Sequence, residues 1–349
     1  MRKVLQAPRD WLREVRRAAR QFLFRPSISP DGILKLRLTI FLVAIVKAAP
    51  SSRVKIFQLL YPSLSAPCPA SSPVICEINS LADFHSSYSH LAAMLGHPGK
   101  APLPSEMEFL RRIDNRPIEY PGRIEVSHCL FLTAFVSILA PPRVVEIGTL
   151  GGFSAAIIAA TLRRQHGEEG AARIDTIDNS ATCLIDETRP TGFEINESFS
   201  ELASVIRLHI PHDSSIVSEL AERDELEFVF IDADHRHPMP LLDLLRLAPY
   251  MKPGGWILLH DTRLGTMGRE ASKNGQISRW VAAYGAEWLF DYWPFRKISG
   301  GNIGAIQLPD DKSALIPFAL RLMSMPFEIE DRHERTVRHT VHRTFERLI

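Results

Sequence analysis

The run FVFIDADHRH, which begins at Phe228, ends an apolar stretch of strand type in Asp232 and Asp234, with His235 beside the second acid. Carboxylates at a strand tip can hold a hard divalent cation or orient a hydroxyl group. An imidazole titrates near neutral pH and can take the proton of that hydroxyl. A second strand-like run, WILLHDT, ends in His260, Asp261 and Thr262. A third, VVEIGTLGGFS, places Glu146 before Gly148, Gly151 and Gly152. Glycines at such a turn permit a tight bend and a close backbone approach to a ligand. The helix expected to start near Gly152 to Ser154 has free N–H groups, which can hold a carboxylate or a phosphate. About 30 residues after the first glycine, IDTID ends in Asp178, an acid placed to hydrogen-bond ribose hydroxyls. A further run is followed by His212, Asp213, Ser214 and Ser215.

Strands must carry these groups to one place. From about residue 106 helix-like and strand-like runs alternate, the pattern of an α/β fold with a parallel sheet. Helices are expected over 126–140, 152–165 and 240–251, the last stopped by Lys252-Pro253-Gly254-Gly255. Strands are expected over 143–147, 173–178, 204–210, 226–232 and 256–260. The segments 287–293 and 302–308 read as a closing, hairpin-like pair. In open α/β sheets ligands gather outside the carboxyl ends of the strands. The expected division is a helical N-terminal extension, 1–105, a central α/β domain, 106–308, and a helical C-terminal extension, 309–349. Within the first extension a helix is expected around 78–95. The last segment sets Val337, Val341, Phe345 and Leu348 near helical spacing.

Bulk composition narrows the function classes. The 349 residues are 45% hydrophobic and 23% charged, as in a packed globular protein, and the net charge of +1 argues against general nucleic-acid binding. Cys68, Cys76, Cys129 and Cys183 form no CxxC pair, so neither a zinc site nor a disulfide framework is suggested, and a cytoplasmic setting fits. The first 25 residues are basic, and the apolar run 33–48 that follows is interrupted by Lys35 and Arg37, too short to span a bilayer. This segment reads as an amphipathic helix that covers the main domain or a second copy, with peripheral contact to an anionic membrane as the alternative. A homo-oligomer is expected, because terminal helices must bury their apolar faces.

Taken together, VVEIGTLGGFSA, IDTID, FVFIDADH, LAPYMKPGGWILLHDT and GGNIGAIQL resemble the class I S-adenosylmethionine-dependent O-methyltransferases. Within them the chain is similar to the catechol and caffeoyl-coenzyme-A type and to bacterial small-molecule methyltransferases. The resemblance covers about residues 106–308. It implies a Rossmann-like methyltransferase fold, a seven-stranded mostly parallel sheet with helices on both faces. It also implies S-adenosylmethionine as cofactor and a small hydroxylated acceptor, such as a sugar, a glycoside or a phenol. By the same resemblance, Glu146, Gly148, Gly152 and Ser154 would lie along the methionine part of the cofactor. Asp178 would hold the ribose, and Asp213, Ser214 and Asp234 would complete the cofactor contacts. Family members of the catechol type bind Mg2+ or another divalent cation, which maps onto Asp232, Asp261 and Thr262. The chain departs from them at Thr262, where they carry an amide. His235 stands where they carry a catalytic lysine, so Asp232 and His235 become the catalytic pair.

Two other readings compete. A nicotinamide-dependent oxidoreductase would share the sheet, but its glycine spacing and a Tyr-x-x-x-Lys pair are missing here. A non-catalytic, membrane-associated protein with a methyltransferase fold would explain the basic N-terminus. It would not explain acids at 178, 232 and 261. Trp280, Tyr284, Trp293 and Phe295 are candidates to line an acceptor pocket, or to pack in the core.

Overall fold

The structure is a computed structural model. It describes residues 70–114, 124–167, 172–273, 283–325 and 327–329, together with single helical positions between 337 and 348. The basic N-terminal segment, the 33–48 run and Trp280 lie outside the described residues. A compact unit begins at Pro67.

The strands are β1 (Val74–Ile75), β2 (Arg143–Ile147), β3 (Arg173–Ile177), β4 (Thr182–Cys183), β5 (Asp186–Pro190), β6 (Ile206–His209), β7 (Leu226–Ile231), β8 (Met251–His260), β9 (Lys297–Ser299) and β10 (Ile303–Gln307). The main helices are α1 (Phe84–Met94), α2 (Pro104–Asp114), α3 (Val126–Leu139), α4 (Phe153–His166), α5 (Phe193–Ser198), α6 (Val217–Leu220), α7 (Met239–Leu247), α8 (Leu264–Lys273), α9 (Gly285–Asp291) and α10 (Leu315–Leu322).

Eight strands form one sheet in the order β1-β9-β10-β8-β7-β2-β3-β6. β8, β7, β2, β3 and β6 run parallel, and β10 runs antiparallel to both of its neighbours. Six of the seven expected strand segments are present, β9 takes the place expected of 287–293, and β1 adds an eighth strand at the edge. The inner parallel strands are continuous apolar runs, Val144 to Ile147 and Phe228 to Ile231, as burial on both faces demands. The exception is Glu146, wholly buried within β2. From β2 the chain builds outward to β3 and β6, then returns to add β7 and β8 on the other side. The switch point therefore lies between the ends of β2 and β7, where such sheets open a ligand crevice.

α3 is buried along nearly its whole length, from His128 to Ile138. It lies in the same core as α1 and α4. α1 buries Phe84, Tyr88, Leu91 and Ala92, one helical face. Full burial of each of its large side chains stabilises by ~1.5–3 kcal/mol. Tyr88 Oη and Ser137 Oγ, 2.9 Å apart, join α1 to α3. Gln165 Nε2 donates to Ser137 Oγ and to the buried Glu106 at 2.9 and 2.7 Å, tying in α4 and α2. Residues 76–92 thus pack into the same core as the central sheet.

Two local readings differ from the structure. The closing pair of strands is β9 with β10, and 287–293 falls largely in helix α9. A short apolar run carries no period long enough to separate strand from helix. The helix is fixed by tertiary contacts: the buried Lys297 ammonium donates to the carbonyls of Phe290 and Asp291 at 2.8 and 2.9 Å, satisfying its open C-terminal end. α7 ends at Leu247, ahead of the expected stop, in a 3-10 turn over Ala248–Tyr250, and Lys252 to Gly255 already belong to β8, which starts at Met251. At the C-terminus Val337, Val341 and Leu348 are buried in helical geometry.

Candidate functional site

The first half of the site is the turn after β2. Gly148 (φ +100°) and Gly152 (φ +90°) both occupy the left-handed region. A Cβ on Gly148 would sit 2.0 Å from the Asp232 carbonyl oxygen. A Cβ on Gly152 would meet the Ile195 side chain at 2.6 Å. The close approach made by these two glycines is therefore to the chain itself. Gly148 draws the ends of β2 and β7 together, and Gly152 lets α4 start against α5. Leu150 between them also has a positive φ (+47°), which a branched side chain adopts only under tertiary constraint.

Asp178 faces this turn. Its Oδ2 accepts the backbone N–H groups of Thr149 and Leu150, both at 3.1 Å, and Oδ1 accepts that of Ser180 at 2.9 Å. Below the turn, Thr176 donates to Glu146 Oε2 at 2.5 Å, and Thr149 Oγ1 lies 2.7 Å from Thr176 Oγ1. Ser154, at the start of α4, lies close enough to favour the charged form of Glu146, yet Glu146 Oε1 meets no partner at full hydrogen-bond geometry among the described residues. Burial pushes the Glu146 carboxyl up to about 8. A buried oxygen without a partner at the mouth of the turn is a ready acceptor for a donor group on a ligand.

The second half lies across the switch point. His235 Nε2 is 3.2 Å from Asp261 Oδ2 and 4.0 Å from Asp232 Oδ1. Asp232, His235 and Asp261 each offer a ligand atom, all within 4.8 Å of one another. His260, the last residue of β8, places Nδ1 at 3.0 Å from Asp232 Oδ1 and 3.5 Å from Asp261 Oδ1. Consecutive strand residues point to opposite faces, so in an unbroken strand the two side chains would diverge. They do not, because Asp261 leaves the extended conformation with φ +58° and swings its carboxylate back toward the cluster. Burial works against charge on His260, yet Asp232 and Asp261 outweigh it and push the imidazole up to about 9. Burial likewise opposes charge on Asp232, and the His260 ring with its neighbours still holds that carboxyl below its usual range.

Other expected residues make hydrogen bonds of their own. Thr262 is buried and donates to the Gly301 carbonyl at 3.3 Å. The amide that supports Asp261 comes from elsewhere: Asn302 Nδ2 donates to Asp261 Oδ1 at 2.6 Å, while Asn302 Oδ1 accepts the Arg263 N–H. Asp213 caps the turn after β6 and pairs with Arg246 at 2.9 Å. Ser214 donates to the buried Asp243 at 2.5 Å. Asp234 accepts from the backbone and guanidinium of Arg236. Tyr284 and Trp293 are buried; Tyr284 stacks on Trp288, and Trp293 packs edge-on against Phe318.

Sequence reasoning passed over Asn302 and His128. His128 Nδ1 lies 2.9 Å from His260 Nε2, from the helix that precedes β2. Its only signal was a histidine inside a largely apolar helix.

The loop that carries His235 is clamped from behind. Glu328 accepts the N–H groups of His237 at 2.6 Å and Tyr284 at 3.0 Å, and its own N–H donates to the His237 carbonyl at 2.8 Å. Burial outweighs these donors and pushes the Glu328 carboxyl up to about 8. A carboxyl raised on folding favours the protonated native state, so its penalty grows as pH climbs from its unfolded value toward 8. Glu328→Gln is therefore expected to flatten the decline in stability between pH 5 and pH 8. The gain over wild type at pH 8 is expected to be about 4 kcal/mol, read by urea melts at both pH values. Equal pH dependence in both proteins would show that Glu328 is charged in the fold.

Residues 145–262 match a protein-family model described as a methyltransferase domain. Among solved structures the chain is similar to an O-methyltransferase from Bacillus cereus in complex with SAH, with 20% identity over 65% of this chain and 100% of that one, at a TM-score of 0.38. It is also similar to the O-methyltransferase TomG from Streptomyces achromogenes in complex with SAM, with 14% identity over 66% and 100% of the two chains and a TM-score of 0.38. An SAH-bound methyltransferase from Podospora anserina gives 14% identity over 64% and 96%, with a TM-score of 0.42. No curated protein matches the chain. No helix among the described residues is long and apolar enough to cross a membrane.

Proposed function

We propose that this chain, which carries a methyltransferase domain over residues 145–262 in a Rossmann-like sheet, is an S-adenosylmethionine-dependent O-methyltransferase of a small hydroxylated molecule. The observation that carries this reading is the meeting of two half-sites across one switch point. The glycine turn with Asp178 and the unpartnered Glu146 oxygen lies on one side, and Asp232, His235 and Asp261 lie on the other.

Bound S-adenosylmethionine supplies a methyl group on a sulfonium, already activated for displacement. The protein must align an acceptor oxygen with that carbon and remove its proton. Alignment by itself removes much of the barrier to a two-body step. Asp178 would hold the ribose, Glu146 the polar end of the methionine part, and the start of α4 its carboxylate. His235 accepts the acceptor's proton, and Asp261 beside its ring stabilises the imidazolium that forms. Two carboxylates and an imidazole also suit a divalent cation, which would lower the pKa of a coordinated hydroxyl. Asp232 and Asp261 would hold it, with Asn302 orienting the second carboxylate in the absence of an amide at 262. Imidazole nitrogen nearby favours manganese, iron or zinc over magnesium. The acceptor class we propose is a sugar, a glycoside or a phenol, bound by a cytoplasmic enzyme. Homo-oligomer formation completes this reading, with peripheral membrane contact through the basic N-terminus as the alternative use of that segment.

Thermal denaturation tests the cofactor. S-adenosylhomocysteine at 100 times its dissociation constant should stabilise the protein by ~2.7 kcal/mol, whereas NAD should leave the melting temperature unchanged. A shift with NAD alone would replace the methyltransferase reading with an oxidoreductase one. Transfer of labelled methyl groups to a panel of hydroxylated metabolites would then identify the acceptor.

A further inference from the structure

A chain of three side chains runs back from the acceptor side of the site into the core. Asp232 Oδ1 meets His260 Nδ1 at 3.0 Å, and His260 Nε2 meets His128 Nδ1 at 2.9 Å. The two rings stand edge to face, with centroids 4.9 Å apart. His128 is 5% exposed and His260 8%. The carboxylates around His260 can only accept hydrogen bonds, so the ring must present an N–H at Nδ1. That requirement fixes which way the ring faces, but not how firmly. His128 is the group that grips its far nitrogen.

The helix that carries His128 is an unusual place for a polar ring. α3 is packed mainly with apolar side chains, Cys129, Leu130, Phe131, Leu132, Phe135 and Val136, and its other buried polar residues, Thr133 and Ser137, are small hydroxyls. A buried imidazole that served packing alone would be replaced at lower cost by an apolar ring. Instead it lies one turn into the helix, directly behind the strand end that bears His260.

We propose that His128 is a positioning residue for methyl transfer: through His260 it fixes the orientation of the Asp232 carboxylate toward the acceptor. This inference rests on the methyltransferase reading of the site. Groups that stand behind an acting residue and set its geometry typically contribute 10–100-fold to metal affinity or activity. His128 would act in this way without touching acceptor or cofactor.

Two substitutions separate positioning from packing. His128→Phe keeps an aromatic ring but removes the nitrogen. His128→Asn places a polar amide atom where Nδ1 stands, at the cost of volume. If His128 positions His260, the Phe variant loses about 10–100-fold in kcat with little change in the KM for S-adenosylmethionine. The Asn variant then recovers most of that loss although it packs worse. A pure packing role predicts the reverse order, and equal activity in all three proteins also overturns the proposal. Nitrogen-detected NMR of the unmodified protein supplies a second reading should the Phe variant fail to fold. A solvent-protected N–H at His260 Nδ1 is expected, retained in His128→Asn. A freely exchanging His260 ring in the wild type would refute the relay. If the wild type binds neither S-adenosylmethionine nor its demethylated product, the functional reading itself has failed, a result distinct from any of these.

Discussion

Asp232→Asn lowers methyl-transfer turnover by about 10²–10⁴-fold, the range associated with loss of a positioned acid–base partner. The substitution preserves the shape of the side chain and removes its charge. Asp232 Oδ1 accepts from His260 and lies 4.0 Å from His235. The amide can still accept from the His260 N–H through its oxygen, but it then presents an NH2 donor where the second carboxylate oxygen stood. His235 would also lose a neighbouring charge that favours its protonated form during the transfer. Binding of S-adenosylhomocysteine should change little, because Asp178 and Glu146 lie on the opposite side of the switch point. The measurement pairs single-turnover transfer of labelled methyl with calorimetric titration of S-adenosylhomocysteine. Any stimulation by a divalent cation should fall with the turnover. Normal turnover in this variant would remove Asp232 from the mechanism and leave the acceptor side without its central group.

Gly148→Ala is expected to cost about 3–5 kcal/mol of stability, or to prevent folding altogether. Two effects add. The backbone holds φ +100°, a region that L side chains rarely adopt. Strain of that kind costs ~1–3 kcal/mol. The new Cβ would also lie 2.0 Å from the Asp232 carbonyl oxygen, a backbone atom of the neighbouring strand end that cannot rotate aside. Relief requires β2 and β7 to part at the switch point, which disrupts both half-sites together. Gly254→Ala serves as a control: it too has positive φ (+73°), but its Cβ would meet nothing closer than 3.7 Å. It should lose only the strain component. Comparison of the two in denaturant melts separates clash from strain, and similar losses would show that the strand ends yield easily.

Much of this fold was legible because parallel strands buried on both faces leave long apolar runs. VVEI, FVFI and WILL could be placed to within a residue or two at their carboxyl ends, and those ends carry the chemistry. The hairpin of β4 and β5 was not legible: DETRP is polar and has no clean alternation. α9 was misread because Trp288, Leu289 and Phe290 suit either element until Lys297 closes the helix end. At the site, sequence order pointed to Asp232 and Asp261, which follow β7 and β8 directly, and to His235 three residues past the first, and the fold brings these three together. It could not identify Asn302 or His128. Their contributions depend on which strand lies beside which, and on a left-handed turn at Asp261 that no residue type announces.

The placement of α1 carries a practical lesson for anyone wishing to isolate a smaller working fragment. A truncation chosen from the matched segment would begin near residue 145, and one chosen from the alternating pattern near 106. The first cut removes α3 and His128 outright; the second keeps them but discards Phe84, Tyr88 and Leu91, which share a buried core with that helix. The bared surface would invite aggregation, and the loosened helix would carry the defect to the reaction centre. A shortened protein that keeps its solubility and its chemistry should start ahead of Cys76.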